Sequence, residues 1–447
     1  IQQSRNMLKL LLCFACVLVV CFGAGCNSNV PSYGPPNTAP ILDGNSIKKL
    51  ITTAANGKLY SVTTQNDGNP QTYDLIHVWG TPYEMGFAQG TLLKSKVDTF
   101  ITTVWAYFED QIEQVIPLLP KWLSKIIADV GLDAALDFTY YASRGYTDKA
   151  IYAEMKGLAD ASGADYNTMV KVHMIAGLTQ GACSMFGAWG SALGNGTTEL
   201  LQLRALDWDM DGPFRDFSAV VVYHPSEGGH KHVTVGMTGF VGALTGVSET
   251  QLGISEIGVT FPDETFGEMS RIGIPFIFLL RDILRYDNTV DDSINRMANA
   301  RRTCDLILGV GDGKSSTFKG FEYSYSTLNI FDDKNMMPYN ETWHPRMDDV
   351  VYWGMDWICP SFNLVLSQQI KKYYGNLTPV NALRYLTAVE KSGDNHLAFY
   401  DLTNMDMWIA FAAPHGVGGN KAAYARQFTR FDINALFNEP PPTKALL

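Results

Sequence analysis

Gly181-Ala182-Cys183-Ser184-Met185-Phe186-Gly187 marks the point where the hydrophobic period of the chain changes. Upstream, over 82–179, apolar residues recur at three- and four-residue spacing, as in helices that bury one face. Tyr83-Glu84-Met85-Gly86-Phe87-Ala88-Gln89-Gly90 opens this region, and its glycines let a second helix approach closely. Thr147 is expected to cap one helix, and Asp165-Tyr166-Asn167 to begin another. Downstream the period becomes two. Residues 184–193, 199–206, 217–224 and 232–239 read as consecutive strands joined by turns bearing Gly or Pro, with 252–261 a further one. Helices are expected over 276–300, re-capped at Thr289, over 361–374, and after Thr378-Pro379. Later strands fall near 306–308, 325–330, 398–400 and 407–412, and earlier ones at 59–62 and 75–79. Strands in blocks with helices between them predict an α+β fold. The expected form is a four-layer αββα sandwich whose two antiparallel sheets come largely from 183–415, with a helical N-terminal lobe.

Met7-Leu8-Lys9, the apolar run 10–22 and the small residues Gly23-Ala24-Gly25 read as a secretion signal. The run is about 13 residues, short for a membrane span. The chain therefore divides into a signal-peptide region (1–26), a segment of linker, strands and helical lobe (27–182), and a strand-rich remainder (183–447). No later segment suits a membrane anchor, and a secreted or lysosomal location follows. The net charge of −11, with no basic tract, argues against nucleic acid as a partner. Asn195, Asn340 and Asn376 begin glycosylation sequons. Of seven cysteines, Cys13, Cys16, Cys21 and Cys26 lie in or beside the leader. Cys183, Cys304 and Cys359 remain, an odd number, which suggests a thiol with a task other than cross-linking. Cys304 and Cys359 are the candidate disulfide, although either could pair with Cys183.

A thiol acts through its thiolate, which an apolar site opposes. A histidine brought close by the fold could activate Cys183. So could its own α-amine, once the chain is cut after Ala182, because that amine titrates at about 7.7–8.0. Other motifs carry less. His230-Lys231-His232 with His224 nearby is a weak metal set, and no metal or cofactor is expected. Gly309-Val310-Gly311-Asp312-Gly313-Lys314-Ser315 imitates a phosphate loop, but Leu308 stands where the first glycine is required. No Gly-x-Ser-x-Gly occurs.

Gly181-Ala182-Cys183-Ser184 followed by Leu203-Arg204-Ala205-Leu206-Asp207-Trp208 resembles the N-terminal-nucleophile hydrolases. More narrowly it resembles the branch of acid ceramidase, choloylglycine hydrolase and isopenicillin N acyltransferase. There a new N-terminal cysteine is followed, one hairpin later, by Arg-x-x-Asp. The stretch 80–90 is similar to the opening of the acyltransferase-type members. Thr245-Gly246-Val247-Ser248, then Leu252-Gly253-Ile254-Ser255, resembles the segment near their oxyanion site. The likeness covers roughly residues 75–415.

The resemblance implies self-cleavage between Ala182 and Cys183, with Cys183 as nucleophile and the two resulting chains remaining associated. It implies that Asp207 holds the Cys183 amine and that Arg204 sets the local field. Ser248 and Asn363 are the oxyanion candidates, and Trp208 the candidate lining of an acyl pocket. The implied activity is hydrolysis or transfer of the acyl group of a nonpeptide amide, a small molecule of lipid-like character. The alternative is a noncatalytic secreted glycoprotein that keeps the fold as a binding module.

Overall fold

The computed structural model describes residues 31–443 apart from 67–68, 116–126, 128–130, 177–181, 195, 197, 260–261 and 271. The leader, Gly181 and Asn195 lie outside the described residues. Among the described residues seventeen strands make two sheets: β1 (Leu42–Asp43), β2 (Lys49–Ala54), β3 (Gly57–Asn66), β4 (Asn69–Gly80), β5 (Ala182–Trp189), β6 (Leu200–Asp207), β7 (Ser218–Pro225), β8 (His232–Met237), β9 (Gly246–Ser248), β10 (Leu252–Gly258), β11 (Leu306–Asp312), β12 (Thr317–Tyr323), β13 (Leu328–Phe331), β14 (Val350–Trp353), β15 (His396–Asp401), β16 (Asp406–Phe411) and β17 (Thr429–Asp432). The first sheet runs β1-β17-β16-β15-β6-β5-β14, the second β13-β12-β11-β10-β9-β8-β7-β4-β3-β2. The longer helices are α1 (Pro82–Leu92), α2 (Lys94–Val115), α3 (Leu132–Ser143), α4 (Lys149–Ser162), α5 (Tyr166–Ala176), α6 (Phe276–Tyr286), α7 (Val290–Asn299) and α8 (Pro360–Tyr373).

The sheets stack face to face. All eight residues of β6 are buried, as in a strand covered on both faces. Its even-numbered residues face the ten-stranded sheet: Gln202 Nε2 donates to Ser255 Oγ at 2.7 Å. Glycines let the two sheets close tightly. A Cβ added at Gly187 on β5 would lie 2.1 Å from the Phe318 ring of β12, and one at Gly311 on β11 would lie 2.4 Å from Gln202 Oε1. Outside the ten-stranded sheet, helices α1, α2, α4 and α6 share an apolar core with Leu59, Ile76 and Val78. On the far side Leu366 and Ile370 of α8, with Leu383 and Leu386, cover the seven-stranded sheet. This is the expected αββα arrangement.

The structure differs from expectation in particular places. Among the described residues seven of the ten strands of the larger sheet come from 183–415, as expected, but it also takes in β2–β4 from before Cys183. Two neighbouring pairs are parallel, β4 with β7 and β1 with β17. The cap of α4 is Asp148, which accepts from Ala150 N at 2.9 Å. Thr147 instead bonds back to the Ser143 carbonyl. Thr289 caps α7 through a reciprocal pair with Asp292. The phosphate-loop imitation is the tight turn between β11 and β12. Cys304 keeps its thiol, while Cys359 is disulfide-bonded, so the two are not joined. The reason is topological: Cys304 is buried in the core outside the ten-stranded sheet, and Cys359 caps α8 on the opposite outer layer.

Candidate active site

Cys183 is the second residue of β5. It pairs with Leu206 of β6, which in turn pairs with His396 of β15. Residues directly opposite in antiparallel strands share a face, so these three form a row directed at the ten-stranded sheet. Arg204, two residues before Leu206, shares that face. The thiol lies at the wall of an apolar pocket of about 640 Å³ of empty space, open solvent included. Phe100, Val104 and Phe108 of α2 line one part. Phe240, Leu244 and Phe276 line another, and Trp208 and Phe214 a third. The polar lining consists of Glu256 and Asn395.

Cys183 is 1% exposed. Burial pushes its thiol far up, and the positive charge of Arg204 offsets only part of this. Arg204 is fully buried and donates from Nη2 to Glu256 Oε2 at 2.9 Å. Burial raises the Glu256 carboxyl, while Arg204 pulls it back. The Arg204 Nε and Nη1 groups are buried without a hydrogen-bond partner. So is Asn395 Nδ2, although the Asn395 backbone is fixed to Leu206 O and Ala412 N at 3.0 and 2.7 Å. Unpaired buried donors are expensive, and each calls for an explanation. Those of Arg204 and Asn395 lie beside one thiol.

Asp207 ends β6, next to the start of β5. Its carboxylate accepts from Ser392 Oγ at 2.5 Å and from the Gly393 and Asp394 amides at 2.8 and 3.0 Å. Burial lifts it to about 6 against the pull of those three donors. Ser184, facing away from the pocket, donates to Glu390. Trp208 is seated by its own amide, which bonds Asp394 Oδ1 at 2.9 Å, and by an edge contact with Phe214.

The two oxyanion candidates from the sequence do not line the pocket. Asn363 is fully buried on α8, accepting from Gly354 N at 2.8 Å and donating to Trp357 O at 3.5 Å. It pins a turn. The Ser248 hydroxyl bonds Thr250 beyond the end of β9. His232 is held by Arg281 and by the His230 carbonyl, and His224 by His77. Among the described residues no cluster of three His, Cys, Asp or Glu side chains could hold a metal ion. Asn376 is exposed, and Asn340 is half-buried in a turn closed by its own side chain.

The protein dcd1A of Dictyostelium discoideum is 35% identical to this chain over 455 residues, covering 96% of it and 98% of dcd1A. The chain belongs to the dcd1 protein family. A second dcd1 protein of that organism, dcd1B, is 34% identical over 420 residues, covering 90% of this chain and 81% of dcd1B. A protein of Archaeoglobus fulgidus is 24% identical over 335 residues, 66% of this chain and 52% of its own. No family model matches the chain. Solved structures similar to it include the Caenorhabditis elegans ortholog of N-acylethanolamine-hydrolyzing acid amidase, at 13% identity and TM-score 0.37 over 49% of this chain and 93% of that one. They also include a mutant conjugated bile acid hydrolase from Clostridium perfringens, at 12% identity and TM-score 0.37 over 59% and 97%.

In this dcd1-family chain, sequence reading missed Asn395 and Glu256. Asn395 gave no usable signal, because its place at the site rests on β15 pairing with β6. Glu256 had none, because an acid inside a strand looks solvent-facing until its neighbour across the sheets is known.

Proposed function

We propose that this chain is an N-terminal-nucleophile hydrolase that removes the acyl group from a nonpeptide amide through a thioester on Cys183. The observation that carries this is the meeting of a buried thiol, an apolar pocket and the unpaired donors of Arg204 and Asn395. Burial opposes the thiolate, so a base must stand close. His396 is two strands away, about 9–10 Å between backbones, and its Nε2 is taken up by Thr245. The α-amine of Cys183 fills the role once the chain is cut.

In maturation the Cys183 thiol adds to the Ala182 carbonyl, the acyl group passes from nitrogen to sulfur, and water hydrolyses the thioester. Residues 27–182 and 183–447 become two associated chains. A carboxylate offers about four acceptor positions. Three on Asp207 are filled, which leaves room for the new amine. In turnover that amine takes the thiol proton as sulfur attacks the substrate carbonyl. Asn395 Nδ2 and Arg204 donate to the oxyanion, the amine protonates the departing nitrogen, and water or a second amine releases the acyl group. Phe100, Val104, Phe108, Phe240 and Phe276 suit a long apolar acyl chain, so the substrate is an N-acyl lipid amide. The reaction needs no cofactor and belongs in a secretory or lysosomal lumen.

The test is mass spectrometry of the mature protein together with turnover of fluorogenic fatty-acyl amides. Cut protein beginning at Cys183, and loss of both cutting and turnover in Cys183→Ala, are expected. An intact 182–183 bond in active protein would sink the reading.

A further inference from the structure

Phe240 and Leu244 line the pocket from the connection between β8 and β9, a segment of turns and bends with no strand or helix of its own. Such segments are ordinarily the adaptable part of a fold, yet the pocket takes its shape from this one. A single residue within it, Val241, is held through both of its backbone groups. The Val241 N–H donates to His173 Nε2 of α5 at 2.9 Å. The Val241 carbonyl accepts from Arg281 Nη1 of α6 at 2.6 Å.

Both holders are themselves fixed. His173 Nδ1 stands 2.8 Å from the Met169 carbonyl. A carbonyl requires a donor and an amide requires an acceptor, so the ring is neutral with its hydrogen on Nδ1. The same ring lies parallel to Phe240, centroids 5.2 Å apart and planes 6° apart. Arg281 donates from Nε to His232 at 2.7 Å and from Nη2 to Glu154 at 3.0 Å. Its guanidinium lies 3.7 Å from the Tyr223 ring centroid. His173 is fully buried, and it belongs to the segment N-terminal to the proposed cut, whereas the wall it holds belongs to the segment after it.

We infer that His173 is a positioning residue of the acyl pocket: by fixing the Val241 peptide and the Phe240 ring it sets the affinity for long acyl chains without entering the chemistry. This rests on the acyl-amide reading of the pocket given above. Contact with Phe240 and Leu244 grows with acyl length, so the effect must grow with it too.

The experiment compares His173→Phe, which keeps a flat ring but removes the acceptor, with His173→Gln, which restores an acceptor. Kinetics are read on N-hexadecanoyl and N-butanoyl amides. Binding of hexadecanoic acid is read by calorimetry with the same changes in Cys183→Ala protein. In His173→Phe the KM for the hexadecanoyl amide and the Kd for hexadecanoic acid should rise about tenfold, as for loss of one buried hydrogen bond. Its kcat and the butanoyl KM should stay within about twofold, and His173→Gln should recover most of the loss. Unchanged binding in His173→Phe, or a kcat loss alike on both amides, overturns the inference. So does a parent protein that does not bind hexadecanoic acid. If His173→Phe does not fold, His173→Leu, which also lacks the acceptor, decides: weaker hexadecanoic acid binding with unaltered butanoyl kinetics supports the role, and unaltered binding overturns it. Turnover that survives Cys183→Ala defeats the hydrolase reading instead, and the binding measurement still decides the role of His173.

Discussion

Two asparagines separate what the sequence suggests from what the fold builds. Asn395 reaches the pocket with an unpaired amide, while Asn363 has both ends of its amide engaged in a turn. Asn395→Ala should therefore lower kcat on acyl amides about a hundredfold, the usual effect of losing one oxyanion donor, with little change in melting temperature. Asn363→Ala should do the reverse, leaving kcat nearly intact and destabilising the protein by about 1–3 kcal/mol as Gly354 N loses its buried acceptor. Steady-state kinetics beside thermal melts check both. Cys183, Arg204 and Asp207 were singled out through the resemblance of their segments to a known family, and the fold sets them on two adjacent strands. Asn395 was not, since its nearness to Cys183 depends on β15 pairing with β6 almost two hundred residues later. Asn363 misled because a buried polar residue on a helix looks the same in sequence whether it serves a substrate or a turn.

At the scale of elements, helices α1 and α4 touch backbone to backbone. A Cβ at Gly157 would lie 2.1 Å from the Tyr83 carbonyl. Alanine favours a helix over glycine by about 1 kcal/mol, but here the clash wins, and Gly157→Ala should lower the melting temperature. Gly236→Ala on β8, where an added Cβ meets nothing within 4 Å, serves as the comparison and should leave it nearly unchanged. Helix α6 carries a second sensitivity. Asp282 is buried with Oδ1 unpaired, and burial lifts its carboxyl to about 7. In the unfolded chain it ionises near 3.9. The folded state thus holds the extra proton between about pH 4 and 7, and stability falls as pH rises through that window. Asp282→Asn removes this dependence, so its stability relative to the parent should improve from pH 5 to pH 8 in paired denaturant titrations. The elements after Cys183 were readable because short apolar, β-branched and aromatic runs bounded by Gly- or Pro-bearing turns mark strands even where both faces are covered. The parallel pairing of β4 with β7 was not, because it joins segments separated by the whole helical lobe, and alternation carries no information about partners.

Across the whole molecule, the ten-stranded sheet is continuous over the proposed cut, since β4 precedes Cys183 and β7 follows it. Lys48 and Lys58 reach Glu439 at 3.0 and 2.7 Å, joined by the Tyr60 hydroxyl. Burial pushes the Glu439 carboxyl up, but Lys58, Tyr60 and Lys48 outweigh it and hold it at about 2. This contribution is complete above the ordinary glutamate range and fades only as pH falls toward 2. The His77–His224 contact across the β4–β7 seam sets a different limit. Burial lowers His224 to about 4 and His77 well below its usual value, so the stability it contributes is present above about pH 6.5 and lost as pH falls through 4. Cut protein should run as one species by native mass spectrometry at pH 7 and at pH 5. It should separate into its chains below about pH 4 or in denaturant. Separation at pH 5 would contradict the account of the seam.

The glycine sockets between the sheets also govern where the molecule can breathe. With the Phe318 ring against Gly187 and Gln202 against Gly311, neither sheet can shear past the other without lifting a side chain out of its seat. The slab behind Cys183 is interlocked, and the rest of the pocket wall comes from α2 and the segments around Trp208 and Phe240. There α2 meets the segment after Trp208 through the Tyr107 hydroxyl, 2.7 Å from the Asp209 carboxylate. Under the proposed function, changes along α2 should then alter how fast a bulky acyl chain arrives or leaves while the reacting groups stay where they are.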